Sequence, residues 1–497
     1  MPYALPPVGD LRFRVPQSLN SSWTGSVPAT SYSSACVGYG SDELTYPSLS
    51  EDCLYLNVVR PSGYESEQLP VAFWIHGGGL YEGSSIDQRY NLSFIVQKSV
   101  DIGKPIMAVS INYRLSMWGF VMGDEVLESG NANLGFRDQR LAMHWVQENI
   151  TAFGGDTSKV TIWGESAGAL SVGMHLTAYG GRNDGLFRSG IMESSNPVYY
   201  GNFDTWDKTA FPNATAALGC SNSTNQLQCL REVPYEALNN WINSTSFTWA
   251  PLIDGDFIQG YTSLQLAKGD FVHVPIISGA NSDEGTAFSP IGVNSSEIFI
   301  SNLEADMPAA SASVMAEAYP ATITYGAVPT GLPASWVPPA AYGSNWRRSA
   351  EYTGDMFFIA NRRLTCETWS KNNVSAFCFR FNTVPNGISA ATGVTHFQEI
   401  AFVFNNKNGL GYPPVAEDPF QGEPQSYFDL SDKMTTAWAT FVHDSNPGTF
   451  WPSYSPLNRS NYVFDANVTG LGYVEPNTWR SVGINLINSW SSEVLGR

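Results

Sequence analysis

Positive charge is in short supply along this chain. Its 497 residues carry 26 Lys and Arg against 45 Asp and Glu, a formal net charge of −19. Nucleic-acid binding needs a basic face, so that class of partner is excluded, and the acidity reads as a solvated surface. No apolar run reaches the ~18–20 residues that span a bilayer. The C-terminal SWSSEVLGR lacks the hydrophobic tail of a lipid-anchor signal. Histidine is scarce, six in all, and no Cys/His spacing of the zinc type occurs, so neither a metal nor an organic cofactor is expected. There is no internal repeat and no strongly biased tract. The opening MPYALPPVGD lacks the pattern of a signal peptide.

What is present points to nucleophilic chemistry. GESAG (Gly164–Gly168) centres on Ser166, between the β-type run KVTIW (Lys159–Trp163) and the helix-type run ALSVGMHL (Ala169–Leu176). Alone, a Gly-x-Ser-x-Gly pentapeptide is a weak signal in a chain this rich in Gly and Ser. Between a strand and a helix it resembles the nucleophile elbow of the α/β-hydrolases, where a sharp turn pushes the serine Oγ out at the top of the sheet. Upstream, HGGG (His76–Gly79) follows the strand-like VAFWI (Val71–Ile75). A glycine run there frees backbone N–H groups for an oxyanion hole, and its place before the serine is the expected order.

The acid must follow the serine and the histidine must follow the acid. The strand-like VPIISGA (Val274–Ala280) runs into NSDEG, where Asp283 and Glu284 both qualify by type. His76, His144, His175 and His273 come too early. His443 ends a helix-like run, MTTAWATFVH, and reads as a cap complementing the helix dipole. His396, in GVTHFQEIAFVF, remains as the base.

The chain resembles the type-B carboxylesterases, which include cholinesterases and Candida-type fungal lipases. The matching words are SEDCLYLNV (Ser50–Val58), FGGDTSKVTIWGESAGA (Phe153–Ala169), PYALPPVGDLRF (Pro2–Phe13), INYRLSMWGF (Ile111–Phe120) and NLGFRDQRLAMHWVQENI (Asn133–Ile150). They cover the first third densely and the rest more thinly. The resemblance implies one α/β-hydrolase domain over 1–497, a mostly parallel sheet with helices on both faces and inserted loops and helices over the site. It implies Glu284 rather than Asp283 as the acid, His396 as the base, and Gly78, Gly79 and Ala167 as oxyanion donors. Where the family normally has Phe after the glycines this chain has Leu80, a departure that bears on the acyl pocket and not on the chemistry.

A length of 497 residues suggests about three domains. The site elements run from Gly78 to His396, so one sheet must span them and one large domain fits better. The segment from about Ile298 to Arg363 is rich in Ala, Pro and Gly and reads as insertion helices and loops over the site, where specificity is set. The 13% aromatic content with 15 Trp reads as core and rim packing rather than a quaternary-ammonium gorge.

Six cysteines allow 15 connectivities. The resemblance pairs Cys36 with Cys53 and suggests a short loop Cys220–Cys229, which leaves Cys366 with Cys378. A disulfide closing about 15 residues contributes roughly 3 kcal/mol in the chain-entropy model. Glycosylation sequons occur at Asn20, Asn91, Asn213, Asn222, Asn243, Asn294, Asn373, Asn458 and Asn467, with a tenth at Asn149 in an inaccessible helix-like stretch. Together with disulfides they point to a secreted eukaryotic glycoprotein. In the family PYA follows an N-terminal strand segment, so the natural N-terminal hairpin and signal peptide are expected to be missing here.

The expected activity is hydrolysis of small-molecule esters with short to medium acyl chains. Only 16 residues, VGYGSDELTYPSLSED, lie between Cys36 and Cys53. They are polar, and too short to open as a flap over a long acyl tunnel. The runner-up is a lipase acting on long-chain acylglycerols or sterol esters, its lid drawn from another segment. A third reading, a non-catalytic adhesion-type relative, is opposed by the presence of Ser166, Glu284 and His396.

Overall fold

Val71–Ile75 contains no polar residue, as a strand buried on both faces requires. In the computed structural model, which describes residues 1–20, 22, 24–322, 328–412 and 418–497, it lies in β4 (Leu69–Ile75), buried throughout. Alternate residues feed two separate cores. Val71, Phe73 and Ile75 point into one, and Ala72 and Trp74 into the other. Trp74 packs there edge-on against Trp163 and Phe404, with ring centroids 4.6 and 4.9 Å away.

Two short strands, β1 (Ala35–Cys36) and β2 (Leu49–Ser50), pair apart from the main sheet. The main sheet contains β3 (Leu56–Val59), β4, β5 (Met107–Ile111), β6 (Gly155–Glu165), β7 (Ser189–Glu193), β8 (Ile276–Asn281), β9 (Ala376–Phe381), β10 (Ser460–Phe464) and β11 (Gly472–Pro476). Their spatial order is β11-β10-β9-β8-β7-β6-β4-β5-β3. Neighbours between β5 and β10 are parallel, and only the edge strands β3 and β11 run antiparallel.

Parallel neighbours need crossovers, and helices supply them on both faces. The helices Leu134–Asn149 and Ala167–Gly181 bury Phe136, Met143, Leu170 and Val172 against one face. The helices Leu92–Asp101 and Gln425–Asp444 bury Ile95, Met434 and Trp438 against the other. His443 lies in the last turn of Gln425–Asp444, its Nδ1 2.5 Å from Asp444. The Ala- and Pro-rich segment forms helices Ser296–Leu303, Ala309–Ala318 and Trp346–Gly354. These build a third core around Phe299, Met315 and Tyr352, joined by Ile484 near the C-terminus. Among the described residues no helix is long and apolar enough to cross a membrane.

All six cysteines are paired as Cys36–Cys53, Cys220–Cys229 and Cys366–Cys378. Of the sequon asparagines, Asn20, Asn213, Asn222, Asn243, Asn294, Asn373, Asn458 and Asn467 are exposed. Asn91 and Asn149 are half-buried. Asn91 caps a helix through Ser93 N, and Asn149 donates to the carbonyl of Trp145.

Candidate active site

Strand β6 ends at Glu165, and the helix beginning at Ala167 starts two residues later, which leaves Ser166 to make the whole turn. Its backbone adopts φ 54° and ψ −121°, a conformation that costs a non-glycine residue of order 1–3 kcal/mol. The flanking glycines hold it there. A Cβ on Gly164 would lie 2.4 Å from the carbonyl carbon of Gly168, and one on Gly168 would lie 2.0 Å from the oxygen of Ile75. Neither position accepts a side chain, so strand, helix and β4 close on one another and the serine is pressed outward. The Ser166 N–H is anchored on the carbonyl of Glu193 at 2.8 Å.

The glycine run leaves β4 directly beside this elbow. A Cβ on Gly77 would sit 3.1 Å from the Cβ of Ser166. Gly78 and Gly79 take φ 94° and 64°, the left-handed region that favours glycine. Among the described residues no backbone or side-chain acceptor takes the N–H of Gly78, Gly79 or Ala167. Unpaired donors at a helix N-terminus and an adjoining loop suit an anion.

Several of the sequence words that mark this chain act as the frame of that loop. Tyr113 stacks on His76 at 4.4 Å and donates to its carbonyl at 2.9 Å. Next to it, Arg114 forms a fully buried two-pronged pair with Asp138 of the helix Leu134–Asn149. Asn112 accepts from Ser84 and Ser85 and donates to the carbonyl of Ser34, which ties the loop to the N-terminal segment. His76 is wholly buried, and desolvation pushes its pKa down to about 4, so its ring is neutral.

The two adjacent carboxylates after β8 point to different places. Asp283 accepts from Thr330 N and Val394 N, both at 2.8 Å, and so pins two loops together. Glu284 instead accepts from His396 Nδ1 at 2.7 Å through Oε2. Its other oxygen accepts from Ser194 Oγ at 2.5 Å and Asn281 N at 2.7 Å. Glu284 is therefore held by two donors before it meets the imidazole. Among the described residues no hydrogen bond joins Ser166 to His396. His396 Nε2 lies 3.2 Å from Glu165 Oε1, a looseness common in sites without substrate.

Glu165, Glu399, Ser194, Phe288 and Phe358 complete the site, and sequence reasoning singled out none of them. Glu165 lies inside GESAG and Glu399 three residues after His396, so both were in view. Only their approach to the imidazole across the fold gives them a role. Glu399 accepts from Asn281 Nδ2 at 2.6 Å, and burial, then the charge of Glu284, raises it to about 7. Phe288 and Phe358 flank the His396 ring, each with its centroid 4.9 Å away. Burial opposes an imidazolium here, but Glu165 and Glu284 outweigh it and raise His396 to about 9. Burial likewise pushes Glu165 far up, so His396 and Glu165 compete for one proton. Hydrolysis needs a neutral imidazole. Removing the charge at Glu165 lowers the His396 pKa and extends activity to more acid conditions. In Glu165→Gln the acid limb of the kcat/KM profile is therefore expected to move to lower pH. A limb that stays put or moves up would refute this coupling.

Among the described residues no group of three or more His, Cys, Asp or Glu side chains is placed to hold a metal ion. A family model described as the carboxylesterase family matches residues 1–474. A secreted lipase of Botryotinia fuckeliana is 33% identical, over 92% of this chain and 83% of its own. Lipase 2 of Diutina rugosa is 34% identical, over 95% and 88%. The crystal structure of Aspergillus niger EstA superposes with a TM-score of 0.85 at 27% identity, covering 100% of this chain and 94% of that one. The matching fold, the extent of the family match and the relatives' names agree: the chain belongs to the carboxylesterase family and is a carboxylic ester hydrolase.

Proposed function

We propose that the whole chain acts as one α/β-hydrolase domain and cleaves esters of short to medium acyl chains through an acyl-enzyme on Ser166. The observation that carries this reading is the 2.7 Å hydrogen bond from the half-buried His396 to the buried Glu284, 112 residues apart, at the same end of the sheet as the serine elbow. His396, oriented by Glu284, takes the proton of Ser166 as Oγ attacks the ester carbonyl. The N–H groups of Gly78, Gly79 and Ala167 receive the oxyanion, each donor contributing roughly 3–4 kcal/mol in comparable hydrolases. His396 then protonates the departing alcohol, and water repeats the cycle on the acyl-enzyme.

The preference for shorter chains rests on the segment between Cys36 and Cys53, which is tied down. Glu43 accepts from Gly83 N at 3.0 Å, Asp42 N donates to Glu82 at 3.0 Å, and Tyr39 N donates to the Tyr81 carbonyl at 3.2 Å. Asp42 also pairs with Arg89. A loop fastened at this many points is a fixed rim, not a flap. Lipase action on long-chain esters is the second reading, favoured by the names of the relatives. The two separate in kcat/KM on p-nitrophenyl esters from acetate to palmitate. A maximum at short or medium chains without a jump at the solubility limit is expected. A maximum at palmitate with activation by an emulsion would establish the lipase instead. The disulfides and the exposed sequons support a secreted glycoprotein.

A further inference from the structure

A large cavity lies apart from Ser166, which is not among its lining residues. It holds about 1200 Å³ beside β9, β10 and β11 at one edge of the sheet, and strand β9 is three strands from β6. That is above the ~300–1000 Å³ typical of small-molecule sites. Thr330 and Val394, the two positions pinned by Asp283, form part of its wall.

Its floor is built from planar polar side chains already fixed in place. Arg380 makes a two-pronged pair with Glu475, both contacts 2.8 Å, and donates to Asn382 Oδ1 at 2.8 Å. Asn382 Nδ2 donates to Asp465 at 2.9 Å. Two aromatic rings line the same space. Tyr473 is 40% exposed, whereas the Trp479 ring is already covered by the guanidinium groups of Arg380 and Arg480, 5.2 and 4.0 Å from its centroid, and offers a buried indole N–H that has no acceptor among the described residues. A buried donor left unpaired is costly, so an oxygen brought to it is favoured. Pre-set amide, carboxylate and guanidinium groups beside aromatic faces suit a saccharide. Its hydroxyl and acetamido groups pair with the former, and its C–H face packs on the latter.

A tether for such a ligand sits on the rim. Asn467, in the turn between β10 and β11, heads the sequon Asn-Val-Thr, is exposed, and itself lines the cavity. We infer that this cavity is the seat of the N-linked glycan on Asn467, whose inner N-acetylglucosamine residues pack on Tyr473 and bring an oxygen to the Trp479 indole N–H above the Arg380–Asn382–Asp465 floor. The inference rests on the reading of the chain as a secreted glycoprotein. Attachment at the rim makes the saccharide's local concentration high, so weak contacts suffice to hold it.

The test uses the full chain secreted from a glycosylating fungal host. Glycopeptide mass spectrometry reads occupancy at Asn467 and at Asn213, an exposed helix position away from the cavity. Peptide-N-glycosidase release is then timed at both sites on native and denatured protein. Native release at Asn467 is expected to be at least about tenfold slower than at Asn213, with the difference abolished by denaturation. Tyr473→Ala and Trp479→Phe, the second of which keeps a ring and removes the N–H, are expected to restore fast release. An unoccupied Asn467, equal native rates at the two sites, or protection that survives both substitutions would each overturn the inference. Ester hydrolysis is measured alongside and is expected to be unchanged in both variants. Because protection is read from the glycan alone, its failure leaves the assignment of Ser166 untouched.

Discussion

Replacing Ser166 with alanine is expected to lower kcat for ester hydrolysis by about 10⁵–10⁶-fold, the scale found when the nucleophile of a serine hydrolase is removed. The substitution takes away one oxygen from a half-buried side chain, an oxygen that makes no hydrogen bond among the described residues. Stability is expected to hold, and even to rise slightly. The φ 54°, ψ −121° turn is imposed by Gly164, Gly168 and β4, and alanine suffers the same strain as serine without needing solvation of a hydroxyl. Thermal melting and kcat should therefore separate, with Tm kept and turnover lost. Residual hydrolysis near the wild-type level would remove Ser166 from the mechanism. A melting temperature that fell with activity would mean the loss reported unfolding. The N–H groups of Gly78, Gly79 and Ala167, proposed to receive the oxyanion, stay in place in this variant, so slow residual turnover above the background reaction is consistent with the assignment.

The same contrast between backbone and side chain explains what could be read in advance. The central strands announce themselves because burial on both faces removes every polar residue from Val71–Ile75. The elbow and the glycine run are legible because their backbone geometry admits no substitute at Gly164, Gly168 or Gly78. These are local constraints, and local constraints leave local marks. The helix boundaries around Ile298–Arg363 were not legible, since that segment packs on its own core with Ile484, which lies far along the chain. Nor were the partners of His396. Asp283 and Glu284 are neighbours of the same charge, and residue type alone left both open. The resemblance favoured Glu284, and the structure gives the physical reason: one carboxylate is engaged by Thr330 and Val394, the other by Ser194, Asn281 and the imidazole. Glu165 was visible as a letter in a motif and not as a neighbour of His396. Such roles come from tertiary packing and carry no periodicity to detect.

That three-sided hold on Glu284 makes its amide variant the most informative second test. In Glu284→Gln the shape is kept, and the side-chain oxygen is expected to remain where Ser194 and Asn281 donate to it. The amide nitrogen then faces His396 Nδ1 and presents hydrogens where an acceptor was. The imidazole must turn its lone pair to Nδ1 and carry its proton on Nε2, the atom that has to accept from Ser166. The base is present but in the wrong tautomer. Loss of turnover on the order of 10⁴-fold is expected, the size seen when the triad acid of a serine protease is replaced by its amide. A second consequence is independent of the rate. Glu284 is one of the charges that hold His396 up at about 9, with Glu165 and Glu399, so its removal lowers that pKa and moves the acid limb of the residual activity to lower pH. A structural defect would depress the rate at all pH values without moving the limb. Asp283→Asn supplies the control, because Asp283 holds Thr330 and Val394 rather than the imidazole. That variant is expected to lose stability while the limb stays fixed. If Asp283→Asn moved the limb and Glu284→Gln did not, the assignment of the acid would be reversed.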